Sequence, residues 1–324
     1  MTTPVAEART VTTTHTICVA APPRAVYRLI ADASRWPHLF PAFVHVERTD
    51  EGGSEERLRL WAVGNGAVRN WTSRRSLDRD GLRIRFRQES PAPPVASMAG
   101  EWVFVPLPGE ETSVVLLHEF RAIGDDPVNT ALIKQAIDRN STAELAALKN
   151  TAELGDRISL LVHSFAESVT IAAEPEPVYD FLYRAHEWPR RLSHVSRLVL
   201  DEAVPNVQTL EMDSGDPGGT VTTTRLVRVC FPYRSIRYKQ TQPPAGVSAH
   251  VGEWRLYPTA EGVGVTAYNT LMMRPDQADD AVARRGAVER TGNMIREALR
   301  RNCMAVLLHA KDAAEAAAPA ARRS

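Results

Sequence analysis

Apolar and polar residues alternate over 11–19 (VTTTHTICV), which predicts a β-strand with one face buried. Pro22-Pro23 then opens an amphipathic turn or two with Val26, Leu29 and Ile30 on one side, and Trp36-Pro37 is expected to end it. Further strand-like runs fall near 43–49, 55–63, 67–78, 82–90, 97–106 and 112–123. Between them lie EGG, GNG, DRDG, SPAPP and PGEE, all turn chemistry, so these runs read as antiparallel hairpins. Asp126-Pro127 pairs an N-cap with a first-turn proline, and Ile133, Ile137 and Leu148 form the stripe of a long helix to about 153.

The same pattern occurs twice. VAAPPRAVYRLIADASRWP (19–37) aligns without a gap on IAAEPEPVYDFLYRAHEWP (171–189) at an offset of 152. Carried forward, that offset places Gln88 on Gln240, and GEW (100–102) on GEW (252–254). Each half is therefore expected to be one copy of the same domain, 1–155 and 156–312, with a frayed Ala-rich tail at 313–324. The second copy is expected to end in a helix from about 276 to 310. One strand, short helices, a six-stranded meander and a long terminal helix make an α+β unit whose curved antiparallel sheet wraps the helix. A single helix cannot fill so wide a sheet, so an interior pocket is expected in each copy.

Strand phase assigns the pocket's wall. Trp71, Ser73, Arg75 and Leu77 share one face of 67–78, and their apolar members mark it as inward, which makes Arg75 an interior cation. On the following strands Ile84, Phe86 and Gln88, then Met98, Gly100 and Trp102, then Leu116, His118 and Phe120 point the same way. Arg83, Arg85 and Arg87 form a solvated outer face. In the second copy the 152 offset puts Thr223, Arg225 and Val227 opposite Trp71, Ser73 and Arg75, so the inward cation shifts to Arg225. Gln240, Trp188 and Trp254 repeat their first-copy counterparts, while His250 replaces Met98 and Tyr268 replaces Leu116. Asn293 lies in a helix context like that of Asn140, but away from the apolar stripe.

Composition narrows the function. The 324 residues carry 39 basic and 39 acidic side chains, so no net field favours nucleic acid or an anionic membrane. No run of about 18 apolar residues and no export signal is visible, and the three dispersed cysteines fit neither a disulfide framework nor a metal cage, so a reducing cytoplasm is expected. No nucleophile elbow, HExxH, P-loop or dinucleotide glycine fingerprint is present. The residues alone thus stop at a duplicated ligand-pocket domain.

AxxxVYxLIxDxxRWPxLFPAF (21–43), NWTSRR (70–75), the GEW strand and DRNSTAELAALK (138–149), taken in that order, resemble the polyketide aromatase/cyclase family of helix-grip (START or Bet v1-like) proteins. The duplication is similar to its di-domain members in type II aromatic polyketide biosynthesis. The resemblance implies an enzyme that folds a poly-β-ketone, usually ketoreduced and tethered to acyl carrier protein by phosphopantetheine. It would close the first ring by aldol chemistry and dehydrate it to an aromatic, without a cofactor or metal, alongside other type II synthase components.

By the same resemblance Arg75, Ser73 and Asn140 are the catalytic candidates, and strand phase adds His118. Trp36, Phe40, Phe43, Trp71, Gln88, Met98 and Trp102 would contact substrate, with Phe43 standing where single-domain relatives resemble one another in carrying a tyrosine. Arg75 suits an oxyanion, being permanently charged with several donors. Ser73, an ordered water or His118 remain open as proton carriers. The second pocket would use Trp188, Arg225, Gln240, His250, Trp254 and Tyr268. The alternative is a non-catalytic carrier of lipids or other hydrophobic ligands. A monomer with a pseudo-twofold between its copies, or a weak dimer, is expected.

Overall fold

The computed structural model describes residues 10–64, 66–215, 218–274 and 281–317. The chain divides into two units, Met1–Asp156 and Arg157–Ser324. In the first, seven antiparallel strands run in the order β1-β7-β6-β5-β4-β3-β2: β1 Val11–Val19, β2 Phe43–Gly52, β3 Glu55–Gly64, β4 Ala67–Asp78, β5 Arg83–Gln88, β6 Val95–Leu107 and β7 Glu111–Ala122. The helix α3, Pro127–Ala152, crosses the sheet, packing on β1 and β7. The Asp126 carboxylate caps it, accepting from the backbone N–H groups of Val128 and Asn129. Buried Ile133, Ile137, Leu145 and Leu148 form its inward face.

Between β1 and β2 the helix α1, Pro23–Ala31, buries Val26, Tyr27 and Ile30. Trp36-Pro37 begins the short α2, Trp36–Leu39, rather than closing α1. Proline is tolerated there because a first-turn N–H has no helical partner to lose.

The second unit repeats this with α4 Ile158–Leu161, β8 Val162–Ile171, α5 Pro175–Tyr183, α6 Trp188–Arg191, β9 Val195–Val204, β10 Val207–Gly215, β11 Val221–Phe231, β12 Ser235–Gln242, β13 Val247–Thr259, β14 Gly262–Met273 and α7 Ala281–Ala317. Its sheet order, β8-β14-β13-β12-β11-β10-β9, is that of the first. The expected helix end near 310 and frayed tail from 313 give way to helix as far as Ala317, because Ala314 is buried and Glu315 accepts from the Ala172 N–H. Residues 318–324 lie outside the described residues.

The repeated GEW is explained by what each residue touches. A Cβ at Gly100 would come within 2.4 Å of the Phe86 ring, and one at Gly252 within 2.2 Å of Tyr238, so glycine seats an aromatic ring against the strand in both copies. Glu101 pairs on the outer face with Arg83 and Arg85, and Glu253 with Arg237 and Arg255. Trp102 and Trp254 turn inward and are buried.

Candidate functional site

In the first unit the sheet and α3 enclose a cavity of about 260 Å³. All eleven first-copy residues singled out from the sequence line it: Trp36, Phe40 and Phe43 from α2 and the segment into β2, Trp71, Ser73 and Arg75 from β4, Gln88 from β5, Met98 and Trp102 from β6, His118 from β7, and Asn140 from α3. Trp36 packs edge-on to Phe40 at 5.8 Å and tilted on Phe43 at 5.1 Å between ring centroids, and Phe43 lies 6.2 Å from Trp71. These rings form one aromatic wall. Asn140 is exposed, so it stands where the cavity opens.

Arg75 is 2 % exposed and much of its donor capacity is already engaged. Its Nε pairs with the equally buried Glu56, Nη1 donates to the Ile30 carbonyl at 2.7 Å and Nη2 donates to the Ala31 carbonyl. Ile30 and Ala31 end α1, whose last carbonyls have no helical donors, so Arg75 ties that helix end to the sheet. Burial pulls the guanidinium pKa down and Glu56 opposes the fall. The guanidinium also lies 5.3 Å from the Trp36 ring centroid. Three of its five N–H groups are thus engaged within the protein.

Ser73 donates its hydroxyl proton to the Arg87 carbonyl at 3.0 Å and so presents lone pairs inward. His118 lies edge-on to Phe86 at 5.5 Å. Burial, with a small contribution from His15, pushes its imidazole down to about 4. It is neutral near pH 7 and too weak a base to hold a substrate proton.

The sequence reading missed Glu144. It lies one helical turn beyond Asn140 and two beyond Ile137, and shares the cavity wall with them and with Ser141. The same helical phase that supported Asn140 reaches it. No cation pairs with Glu144 among the described residues, and burial pushes its carboxyl up to about 7. Glu144 is half-buried at the cavity wall, and a carboxyl raised towards neutrality suits a group that must take and return protons.

The second cavity, about 110 Å³, is lined by Trp188, Gln240, His250 and Trp254 as expected, but Arg225 and Tyr268 lie elsewhere. Arg225 is on the outer face, pairing with Glu211 at 2.6 Å, and Tyr268 is 40 % exposed under Arg255. The cause is register. Leu58 opposes Ser73, but its counterpart Leu210 opposes Leu226, so the offset on this strand is 153 rather than 152. Trp102 opposes Leu116, whereas Trp254 opposes Ala267, an offset of 151. A slip of one residue exchanges the two faces of a strand.

The inward cation is therefore not displaced between the copies. Arg228 takes Arg75's place, donating to the Leu182 carbonyl at 2.8 Å, to the Tyr183 carbonyl at 2.6 Å and to Gln208, the counterpart of Glu56. On the terminal helices Glu153 accepts from the Ala20 N–H as Glu315 does from Ala172, which makes Asn302, not Asn293, the counterpart of Asn140. Asn302 lines the second cavity. The same alignment replaces Ser141 with Cys303 and Glu144 with Val306, and no carboxylate lines the second cavity among the described residues.

Comparison with known proteins agrees with this architecture. The family model described as "Polyketide cyclase / dehydrase and lipid transport" matches twice, over 10–153 and 162–315. The granaticin polyketide synthase bifunctional cyclase/dehydratase of Streptomyces violaceoruber is 40% identical over 304 residues, covering 94% of each chain. The actinorhodin polyketide synthase bifunctional cyclase/dehydratase of Streptomyces coelicolor is 38% identical over 310 residues, 93% of this chain and 96% of that one. The crystal structure of the di-domain ARO/CYC BexL from the BE-7585A biosynthetic pathway superposes with a TM-score of 0.84 at 42% identity, over 95% of this chain and 100% of that one. Two helix-grip units, each sheet wrapped on its helix around a cavity, and relatives matched along almost the whole length place the chain in the polyketide cyclase/dehydrase and lipid transport family, among its di-domain aromatase/cyclases.

Proposed function

We propose that the first cavity of this polyketide cyclase/dehydratase receives a ketoreduced poly-β-ketone still tethered to acyl carrier protein, closes its first ring by aldol addition and dehydrates it. The observation that carries this reading is the meeting, in one aromatic-walled cavity, of a buried guanidinium and a half-buried carboxyl that pairs with no cation among the described residues. A methylene between two carbonyls is acidic enough for Glu144 to deprotonate. The enolate oxygen then faces the guanidinium of Arg75, whose charge is worth more in this apolar setting than in water.

As the new C–C bond forms, the electrophilic carbonyl becomes an alkoxide and takes back the proton Glu144 holds. In dehydration Glu144 removes a second carbon-bound proton, the C–O bond breaks, and the proton leaves with the hydroxyl as water. The proton count closes without a co-reactant. Neutral His118 supplies one N–H to orient a carbonyl, Asn140 meets the chain at the opening, and the aromatic wall holds the reacting carbons in attack geometry.

A passive lipid carrier gains nothing from an unpaired carboxyl in its cavity, since burying that group costs stability. The test is reconstitution of the full chain with a minimal type II synthase and a ketoreductase. The reading predicts that shunt products of spontaneous cyclisation give way to one product with a defined aromatic first ring. An unchanged product profile overturns it.

A further inference from the structure

The second cavity kept its scaffold and changed its chemistry. Tyr238 donates to Asn269 Oδ1 at 2.7 Å, and His250 Nε2 lies 2.9 Å from the same oxygen. Asn269 Nδ2 in turn donates to Cys303 Sγ at 3.4 Å, which fixes the amide's orientation. Because Asn269 Oδ1 is an acceptor, His250 Nε2 carries its ring's proton and Nδ1 keeps a lone pair. That Nδ1 and Gln240 Oε1 are buried without a hydrogen-bond partner among the described residues. His250 is 3 % and Gln240 7 % exposed, and both line the cavity. A buried acceptor left unpaired carries a desolvation penalty that a ligand's donor would relieve, and both of these side chains line the same cavity.

From this we infer that the second cavity binds a hydroxylated aromatic ring, whose phenolic O–H groups donate to His250 Nδ1 and Gln240 Oε1. The walls fit a flat ring. Trp188 and Trp254 line the cavity, and Tyr238 stands 6.5 Å from Trp254 and 5.9 Å, edge-on, from His250. A volume of about 110 Å³ is on the scale of one ring, for comparison with the roughly 150 Å³ apolar cavity that holds a benzene, and below the 260 Å³ of the first. Burial lowers the His250 pKa, which keeps Nδ1 an acceptor at neutral pH. The first cavity has Met98 where His250 stands, and it carries Glu144. The first therefore handles carbonyls and carbon acids, and the second recognises the phenols that such chemistry yields.

The experiment is an NMR titration of the full chain followed at the His250 imidazole nitrogens, with resorcinol as probe and 1,3-dimethoxybenzene, the same ring without donors, as comparator. A saturable shift of Nδ1 towards its hydrogen-bonded position with resorcinol is expected, with the dimethyl ether at least tenfold weaker. Gln240→Leu should weaken resorcinol about tenfold at the same resonance. An Nδ1 resonance that does not move with resorcinol, or moves equally with both compounds, overturns the inference. Neither result depends on turnover, so the binding inference and the proposed cyclisation stand or fall separately.

Discussion

Glu56 is the position where the structure makes its sharpest energetic demand. Its carboxylate and the Arg75 guanidinium are each 2 % exposed, while its second cation, Arg48, is 45 % exposed. Glu56→Ala strands the Arg75 charge in the interior, and breaking such a pair costs about 3–5 kcal/mol. The half-exposed Arg48 contact adds at most about 1 kcal/mol. Glu56→Gln differs, because the second copy already uses that amide: Gln208 accepts from Arg228 Nε at 3.0 Å. Keeping the hydrogen bond and losing only its charge assistance should cost about 1–2 kcal/mol.

For a unit of this size each kcal/mol moves the melting temperature by about 2–4 °C, so Glu56→Ala should lower the first unit's transition by about 6–20 °C and Glu56→Gln by about 2–8 °C. Circular dichroism and tryptophan fluorescence melts of the full chain read both. A Glu56→Ala protein melting within 2 °C of wild type would refute the clamp and leave Arg75 free for catalysis alone. The clamp also means that Arg75→Ala disturbs folding as well as product formation, so Arg75→Lys, which keeps the charge but loses the planar fork, is the cleaner probe.

Glu144→Gln keeps size and removes proton transfer, so product formation should fall about 100-fold or more with little change in apparent substrate affinity; retained activity would exclude Glu144. The same variant should alter stability against pH: the raised folded pKa favours the folded state below about 4.5, and that gain is lost as pH rises through about 7, so the wild-type minus Glu144→Gln difference should shrink over that window. His118 runs the other way. Its folded pKa near 4 makes stability fall as pH drops from about 6.5 towards 4, and His118→Asn, the residue found at the equivalent Asn269, should remove that part of the acid sensitivity in denaturant titrations. Among the three cysteines, Cys18 is exposed, whereas burial pushes Cys230 and Cys303 up to about 11. A thiol-reactive probe at neutral pH should label one cysteine quickly and two only on unfolding.

Local patterning carried most of the fold. Two-residue alternation placed Trp71, Ser73 and Arg75 on the cavity side, and Asp126-Pro127 marked the start of α3. What an ungapped repeat could not carry was small changes at hairpin turns. β3 and β4 close from Gly64 to Ala67, but β10 and β11 from Gly215 to Val221. β6 and β7 close from Leu107 to Glu111, but β13 and β14 from Thr259 to Gly262. The matches on β12 and β13 return to 152, so an ungapped repeat stays continuous there while placing Arg225 and Tyr268 on the wrong face. The arginine clamp was invisible for a related reason: Glu56, Ile30 and Ala31 come from separate elements, and only the folded chain gathers them around Arg75.

By this mechanism ring closure takes place in the first cavity. The most direct test is product analysis of the reconstituted synthase with a full-length protein carrying Ser73→Leu and Glu144→Val, which gives the first cavity the residues found at Leu226 and Val306 in the second. Loss of the defined aromatic product to spontaneous shunts, in a protein whose melting profile is intact, is the predicted result. The wild-type product formed at the wild-type rate by that variant would contradict it and move the chemistry out of the first cavity.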